Sequence, residues 1–238
     1  MSDAIISVQQ LTYRYPDGHL ALDRLSFDIT AGEKVALIGP NGAGKSTLLL
    51  HLNGVLRGTT GRIVINALPL EDANVRQIRA QVGLVFQNPD DQLFSPRVAE
   101  DVAFGPLNMG LSPAEVKIRV DRALAAVGLG DYGDRLSFHL SGGEKKRVAI
   151  ATVLSMEPSI LLLDEPSSGL DPRTRRSLIE LLASFREQTM LISTHDMRLA
   201  YALCQRAIIL DGGKIAADGG IDLLHDQALM EQHGLETP

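Results

Sequence analysis

Three short runs of the chain are almost wholly apolar: VALI (35–38), ILLL (160–163) and MLIS (190–193). Runs this short and this uniform are typical of parallel strands that are buried on both faces. Polar residues follow each run at once, namely Gly39 onward, Asp164 with Glu165, and Thr194 with His195. Because open parallel sheets bind ligands beyond the carboxyl ends of their strands, we expect these residues to line one site at one edge of the sheet.

The rest of the chain shows other periodicities. The first thirty residues alternate, as in SVQQLTYRY and LDRLSFDIT, and GRIVINALPL (61–70) adds one β-like piece, which predicts an antiparallel sheet beside the core. From about 88 to 156 the pattern is mainly helical, and AEVKIRVDRALAAVGL, with Pro113 near its first turn, is the clearest helix. We predict one α/β domain over 1–238, with a core and β subdomain at about 1–87 and 157–238 and a helical insert at about 88–156.

Composition and charge narrow the classes of function. Hydrophobic residues make up 45% and charged residues 22% of the 238, as in folded globular domains. We expect a soluble chain, since no secretion signal is visible and no apolar run approaches the ~18 residues of a membrane span. A formal net charge of −6 disfavours a nucleic-acid partner, and the basic clusters at 145–147 and 173–176 are predicted to be solvated helix faces. The single cysteine, Cys204, excludes internal disulfides and is predicted to be buried as a small apolar residue.

The most specific motif is GPNGAGKST (39–47), which fits the phosphate-binding pattern G-x-x-x-x-G-K-[ST] between a predicted strand and the predicted helix KSTLLLHLNG. Lys45 is expected to reach the β- and γ-phosphates of a nucleotide, and Ser46 to offer its hydroxyl to Mg²⁺. Backbone N–H groups would surround the phosphate oxygens, and the residues concerned are Asn41, Gly42, Ala43, Gly44, Lys45, Ser46 and Thr47. This loop predicts nucleotide binding.

Two acids and a histidine follow the later apolar runs. Asp164 is suited to holding Mg²⁺, which leaves Glu165 free to polarise an attacking water. The alternative for this acid pair is a helix start with favourable dipole contacts. His195 is predicted to position the γ-phosphate, although a lone histidine is more often structural.

The stretch LSGGEKKRVAIATVLS (140–155) begins with Ser141 and Glu144, the spacing of a capping box. A cap alone does not explain Gly142 and Gly143, because glycine in a helix is roughly 1 kcal/mol worse than alanine. We interpret the segment as a second helix N-terminus open to an anion. Since residues 39–47 already cradle one nucleotide, this terminus is predicted to serve the ATP of a second chain in a head-to-tail pair.

In this order the motifs resemble those of the nucleotide-binding subunit of ATP-binding cassette (ABC) transporters. GPNGAGKST resembles the Walker A loop, LSGGE the signature motif, ILLLDEP the Walker B strand, and SSGLD, which ends at Asp171, the D-loop. The resemblance implies a P-loop NTPase (RecA-like) core with a flanking antiparallel β subdomain and an inserted helical subdomain. It also implies hydrolysis of Mg²⁺-ATP between two subunits, either identical or paralogous.

The same resemblance implies roles for His195, Gln87 and Tyr15. His195 in STHD is similar to the switch histidine, and Gln87 in VFQN to the Q-loop glutamine that senses Mg²⁺ and the γ-phosphate. Tyr15 in YRYPDG resembles the aromatic residue that stacks on adenine, with Tyr13 as the alternative. Across the dimer, Ser141 and Gly143 of one chain are implied to face Lys45 and Glu165 of the other.

Residues 86–110, FQNPDDQLFSPRVAEDVAFGPLNMG, mix acidic side chains (Asp90, Asp91, Glu100, Asp101) with apolar ones (Leu93, Phe94, Val98, Val102, Phe104). Such a segment suits a short partner helix with an arginine and an apolar face, or else it is a solvated loop over core aromatics. FQNPDDQLF and DVAFGP resemble ATPases of energy-coupling-factor (ECF) importers, and the ending LMEQHGLETP resembles their cobalt and nickel branch. This implies a membrane scaffold that docks at about 86–104, a membrane component that captures the substrate, and a peripheral position on the cytoplasmic face of a prokaryotic membrane.

Three alternatives stay open at this level. A vitamin importer of the same group would use the same ATPase motifs. A soluble ABC ATPase acting on nucleic acid or ribosomes usually has two cassettes or long coiled-coil inserts, and this chain has one cassette. The third alternative is a binding module without ATPase activity, which Mg²⁺-dependent phosphate release from the purified chain would exclude.

Overall fold

The computed structural model describes residues 4–58 and 60–237. Within them the strands are β1 (Ala4–Arg14), β2 (Leu20–Thr30), β3 (Lys34–Ile38), β4 (Thr60–Ile65), β5 (Leu68–Pro69), β6 (Val82–Val85), β7 (Ile160–Asp164), β8 (Thr189–Ser193), β9 (Arg206–Asp211) and β10 (Lys214–Gly220). The helices are α1 (Lys45–Leu52), α2 (Val75–Gln81), α3 (Val98–Asn108), α4 (Pro113–Ala126), α5 (Gly142–Leu154), α6 (Pro172–Ser184), α7 (Met197–Leu203) and α8 (Gln227–Gln232).

The larger sheet has six strands in the order β10-β9-β3-β8-β7-β6, parallel except for the antiparallel edge strand β10. Each of the three apolar runs forms a strand, and all five residues of β3, β7 and β8 are buried, as predicted. In β3, Val35 and Leu37 face a core cluster shared with β1, β2 and α1, whereas Ala36 and Ile38 face one shared with the later helices. The sheet is therefore covered on both sides, which confirms the α/β class.

The smaller sheet is antiparallel, with the order β2-β1-β4-β5, and it confirms the flanking β layer. The prediction of a single β-like piece at 61–70 is wrong in detail, because this segment forms two strands that are joined at Asn66 and Ala67. Both of these residues have positive φ, 48° and 63°. Such left-handed conformations reverse the chain in tight hairpins, so the strand breaks there.

Helices α3, α4 and α5 lie between β6 and β7 in the chain and share one core cluster. Pro113 occupies the first turn of α4, and Ser112 with Glu115 caps that helix. The capping box of Ser141 and Glu144 opens α5, as predicted. We propose that these three helices form the inserted subdomain expected at about 88–156.

Cys204 is buried, and burial raises the pKa of its thiol to about 12, as expected of a small core residue. Among the helices within 4–58 and 60–237, none is both long and apolar enough to cross a bilayer.

Candidate nucleotide site

The site forms where four parallel strands end together. Asp164 at the end of β7 lies opposite Ser193 at the end of β8, and Ser193 in turn lies opposite Leu37 of β3. Val85 ends β6 beside Leu163, which brings Gln87 to the same edge. A cavity of about 490 Å³ opens there, and its lining includes Tyr15, Asn41, Gly42, Ala43, Gly44, Lys45, Ser46, Thr47, Gln87, Asp164, Glu165 and His195. The predicted strand-edge residues therefore do lie together.

The glycine-rich loop is shaped for a ligand at the start of α1. Gly44 precedes the helix with φ 103°, and a Cβ built on it would lie 2.6 Å from the carbonyl oxygen of Ala21. Only glycine fits that position without strain. Lys45, the first residue of α1, donates from Nζ to the carbonyl oxygens of Gly39 (2.6 Å) and Pro40 (3.1 Å). Burial lowers the pKa of Lys45, and the charges of Glu165 and Asp164 partly oppose that shift.

The two acids have different surroundings. Asp164 is buried, and its Oδ1 has no hydrogen-bond partner among the residues that the structure describes. Glu165 has φ 44°, a conformation that costs a non-glycine residue about 1–3 kcal/mol. Its N–H donates to the carbonyl of Ser193 (2.9 Å), and its Oε2 lies 2.8 Å from Nδ1 of His195. The histidine thus holds the Glu165 carboxylate at the cavity wall, a contact that the sequence did not reveal.

The structure distinguishes the two candidate tyrosines. Tyr15 lines the cavity, and its hydroxyl lies 3.0 Å from Oγ1 of Thr47 in the phosphate loop. Tyr13 packs edge-on against Tyr15 and His51 and is not among the lining residues. His19, which the sequence did not single out, also lines the cavity, with its ring nearly parallel to that of Tyr15 and 6.4 Å away. Its place in the same hairpin turn as Tyr15 was the available clue.

The signature residues lie outside this cavity. Ser141, Gly142, Gly143 and Glu144 are absent from its described lining, and Ser141 and Gly142 are exposed. A Cβ on Gly142 would meet nothing within 4 Å, but one on Gly143 would lie 2.5 Å from Cγ2 of Thr174 in α6. The two glycines are therefore required for different reasons. Gly142 leaves open space, whereas Gly143 permits packing within its own chain, which corrects the single explanation given for both.

Asp171 is the N-cap of α6. Its carboxylate accepts from the N–H groups of Arg173 (2.9 Å) and Thr174 (3.2 Å), and from the Thr174 hydroxyl (2.5 Å). These bonds lower the pKa of Asp171, the hydroxyl contributing most. Asp171 also lies outside the described cavity lining. In this chain it fixes the start of α6, against which Gly143 packs.

The basic cluster at 145–147 is not the solvated face that its charge suggested. Lys146 is only 8% exposed, and Nζ donates to the carbonyl oxygens of Gln87 (3.0 Å) and Glu165 (3.2 Å). Arg147 is half-buried and donates to the carbonyl of Val127 (2.9 Å). The prediction was wrong because these donors satisfy carbonyls that are distant in sequence, which local charge patterning does not show.

Beside Gln87, a groove of about 1000 Å³ runs between α2 and α3, and we call it the docking groove; its lining includes Val75, Arg79, Phe86, Phe94, Phe104 and Met156. Phe94 and Phe104 are 66% and 52% exposed and meet edge-on at 4.9 Å. Val98 and Val102 are core residues instead, and Asp101, 2% exposed, accepts from the N–H of Ser95 and the Ser137 hydroxyl. The mixed surface expected from the sequence is therefore narrower, because the inner face of α3 is buried.

Residues 22–168 match the ABC transporter family. The energy-coupling factor transporter ATP-binding protein EcfA of Methanothermobacter thermautotrophicus is 46% identical over 239 residues, which cover 98% of this chain and 77% of that protein. The structure of cbiO1 from Clostridium perfringens, part of the ABC transporter complex cbiONQ, superposes with a TM-score of 0.85 at 38% identity, covering 97% of this chain and 94% of that one.

A second solved structure, the ATP-binding cassette MJ0796 as a dimer in a post-hydrolysis state bound to ADP and Pi, superposes with a TM-score of 0.82 at 27% identity, covering 91% of this chain and 98% of that one. The family match spans more than half of the chain, and the fold agrees over nearly its full length. The chain belongs to the ABC transporter family and is an ATP-hydrolysing cassette of the P-loop NTPase fold.

Proposed function

We propose that this chain is the ATP-hydrolysing subunit of an ECF-type importer and that the cargo is a transition-metal ion, cobalt or nickel. The observation that supports the ECF type most is the pair of exposed aromatic rings, Phe94 and Phe104, over an apolar groove directly after Gln87. The relative named EcfA and the cbiO1 structure agree with this type. The metal cargo rests on the likeness to cbiO1 and to the cobalt and nickel branch.

ATP would lie in the 490 Å³ cavity, with its triphosphate on the loop of residues 41–47 and its base beside Tyr15. Lys45 would leave the carbonyls of Gly39 and Pro40 and bond the β- and γ-phosphates. The new acceptors are charged, and charge-assisted hydrogen bonds are roughly twice as strong as neutral ones. Nucleotide binding therefore requires little rearrangement of the loop, because only the flexible Lys45 side chain exchanges its hydrogen-bond acceptors.

The residues at the cavity also fit Mg²⁺. Asp164 has a buried oxygen without a partner in the described chain, and Ser46 and Gln87 offer further oxygens, the ligands that Mg²⁺ prefers. When bound, Mg²⁺ neutralises charge on the β- and γ-phosphates. Asp164, Ser46 and Gln87 are therefore the proposed metal ligands.

Glu165 is the proposed general base. Its carboxylate, held by Nδ1 of His195 at 2.8 Å, would accept a proton from a water that attacks the γ-phosphorus. The bond from this phosphorus to the bridging oxygen then breaks and gives ADP and inorganic phosphate. His195 would orient Glu165 and position the γ-phosphate.

ABC ATPases dimerise, and we propose that two chains close head to tail over two ATP molecules. The exposed N-terminus of α5, at Ser141 to Gly143, would donate its N–H groups to the γ-phosphate that the partner holds. Hydrogen bonds to charged groups contribute about 1.5–3 kcal/mol each, so a few at two sites exceed the roughly 5.5 kcal/mol that moves an equilibrium from 1:99 to 99:1. Hydrolysis removes these bonds, and the pair opens.

The docking groove is the proposed contact with a membrane scaffold. A short helix with an apolar face would pack against Phe94 and Phe104, and exposed Asp91, which also lines the groove, suits a basic side chain on that helix. The chain would then be peripheral on the cytoplasmic face of the membrane, and a separate membrane component would capture the cargo.

Capture of membrane partners tests this proposal. Tagged chain expressed in its own host should co-purify with an integral membrane scaffold, and Phe94→Ser should weaken that association roughly tenfold, since aromatic anchors dominate such contacts. Ile118→Ser is the matched control, because Ile118 is exposed on α4 outside the groove and should leave the association intact. Recovery in a cytosolic fraction, with hydrolysis stimulated by nucleic acid, would reject transport.

The cargo is tested separately with the purified complex in vesicles. ATP supplied on the cytoplasmic side of the complex should drive transport of radiolabelled Co²⁺ or Ni²⁺ across the vesicle membrane, and should not drive transport of biotin. Uptake of biotin alone would place the chain with the vitamin importers and leave its ATPase role unchanged.

A further inference from the structure

Two adjacent lysines on α5 have different partners. Lys145 is half-buried and pairs with the exposed carboxylate of Asp90 at 2.6 Å. Lys146 points inward, is 8% exposed, and bonds two backbone carbonyls, those of Gln87 and Glu165. A buried ammonium is costly unless it is hydrogen-bonded, so these two carbonyls explain its place in the interior.

The two carbonyls belong to different strand ends of the nucleotide cavity. Gln87 follows β6, and Glu165 follows β7, and both side chains line that cavity. Lys146 itself is in the second turn of α5, whose N-terminus at Ser141 lies outside the cavity. One ammonium therefore connects two residues of the chain's own nucleotide site to the helix that is proposed to meet the partner's nucleotide.

The bond to Glu165 also bears on a strained residue. The backbone of Glu165, at φ 44°, is held on its N–H side by Ser193 and on its carbonyl side by Lys146. Such conformations persist only where the surroundings fix them. Removing the ammonium would free the carbonyl of Glu165 and shift the carboxylate that His195 holds.

We propose that Lys146 is a positioning residue that couples the two nucleotide sites of the closed dimer. It ties α5 to Gln87 and Glu165, so the nucleotide in one cavity sets the orientation of the helix N-terminus that the same chain offers to its partner. The inference rests on the head-to-tail dimer of the proposed function.

Other contacts keep α5 in place without Lys146, so variants at this position should fold. Gln92 donates from Nε2 to the carbonyl of Ala149 (2.8 Å) and to Oγ1 of Thr152 (2.8 Å). The inner face of the helix, with Val148, Ile150 and Val153, is buried in the core. These contacts anchor the middle of the helix, whereas Lys146 ties its second turn to Gln87 and Glu165.

Steady-state hydrolysis by purified variants tests the coupling. Lys146→Met removes the donors at similar length and should lower kcat roughly tenfold to a hundredfold, the loss expected for hydrogen bonds from a charged group. Its Hill coefficient for ATP should fall to that of independent sites, while ADP binding to the monomer keeps its wild-type affinity. Lys146→Gln, which retains two amide donors, should be intermediate, and Lys145→Met should behave as wild type.

A purely structural role for Lys146 would lower the melting temperature and leave the Hill coefficient unchanged. If folded Lys146→Met has the wild-type kcat and Hill coefficient, the proposal is wrong. If Lys146→Met does not fold, the same two values measured on Lys146→Gln decide the question. If the wild-type chain neither dimerises with ATP nor hydrolyses it cooperatively, the head-to-tail dimer fails and the coupling fails with it. If the wild type does both and Lys146→Met does too, only the coupling is wrong.

Discussion

Individual residues of the cavity are held by contacts that link separate strands. The N–H of Glu165 bonds to Ser193, the last residue of β8, and its carboxylate contacts His195, which follows β8, whereas Glu165 itself follows β7. Tyr15 depends on Thr47 of the phosphate loop in the same way. A ligand that bridges these strands therefore meets side chains whose positions are already fixed, which is the preorganisation that catalysis by positioning requires.

Tyr15 and Tyr13 provide a test at this scale. Stacking of a base on an aromatic ring contributes about 1–3 kcal/mol, so Tyr15→Ala should raise the KM for ATP roughly fivefold to a hundredfold with a smaller change in kcat. Tyr13→Ala should instead lower the melting temperature, because Tyr13 packs on His51 away from the cavity lining. KM for ATP, measured by phosphate release, distinguishes them.

Tyr15→Phe is the matched control for this pair. It retains the ring and loses only the contact of the hydroxyl with Thr47, so KM should stay near the wild-type value. A raised KM in Tyr13→Ala with an unchanged KM in Tyr15→Ala would show that the base stacks on Tyr13 and not on Tyr15.

Among the elements, helix α5 has two adjacent glycines in its first turn, Gly142 and Gly143, which differ in their surroundings. Gly143 lets α5 approach α6, and the Thr174 side chain that it touches is itself fixed by its bond to Asp171. Gly142 lies at the exposed end, and a Cβ built on it would meet nothing within 4 Å. The helix is thus packed on one side and open on the other.

The alanine variants of these glycines should behave in opposite ways. Gly143→Ala should destabilise the monomer by about 1–3 kcal/mol, the usual cost of overpacking. Gly142→Ala should stabilise it by about 0.5–1 kcal/mol, since alanine is the better helix former. The same change should weaken the proposed ATP-bound dimer, in which the partner's nucleotide would fill the open space. Urea unfolding together with sedimentation in ATP measures both effects. Equal effects of the two variants on monomer stability would contradict this division.

Sequence patterns predicted the elements and the strand-edge site well, because a run buried on both faces must be apolar throughout. The runs VGLV (82–85) and AIIL (207–210) follow the same rule and form β6 and β9, though only three such runs were identified. Lys146 and Asp101 could not be predicted to be buried, since their partners are carbonyls, amides and hydroxyls that leave no local pattern. The opposite surroundings of Gly142 and Gly143 likewise depend on Thr174 in another helix.

For the whole molecule, the separation of Ser141 to Gly143 from the chain's own cavity is the decisive feature. A helix N-terminus attracts anions, but the chain's own nucleotide cavity is already lined by residues 41–47. In the proposed head-to-tail dimer, a second chain related by a two-fold axis would place each terminus over the other chain's ATP. In this proposed dimer, ATP would hold the two chains together, and its hydrolysis would open the pair and move a membrane partner at the docking groove.

Sedimentation velocity of Glu165→Gln, with and without Mg²⁺-ATP, tests this reciprocity most directly. The variant should bind ATP with little turnover and double its sedimenting mass when ATP is added, and Ser141→Arg in the same chain should return it to the monomer. A Glu165→Gln chain that stays monomeric in ATP, or a dimer that survives Ser141→Arg, would contradict the account.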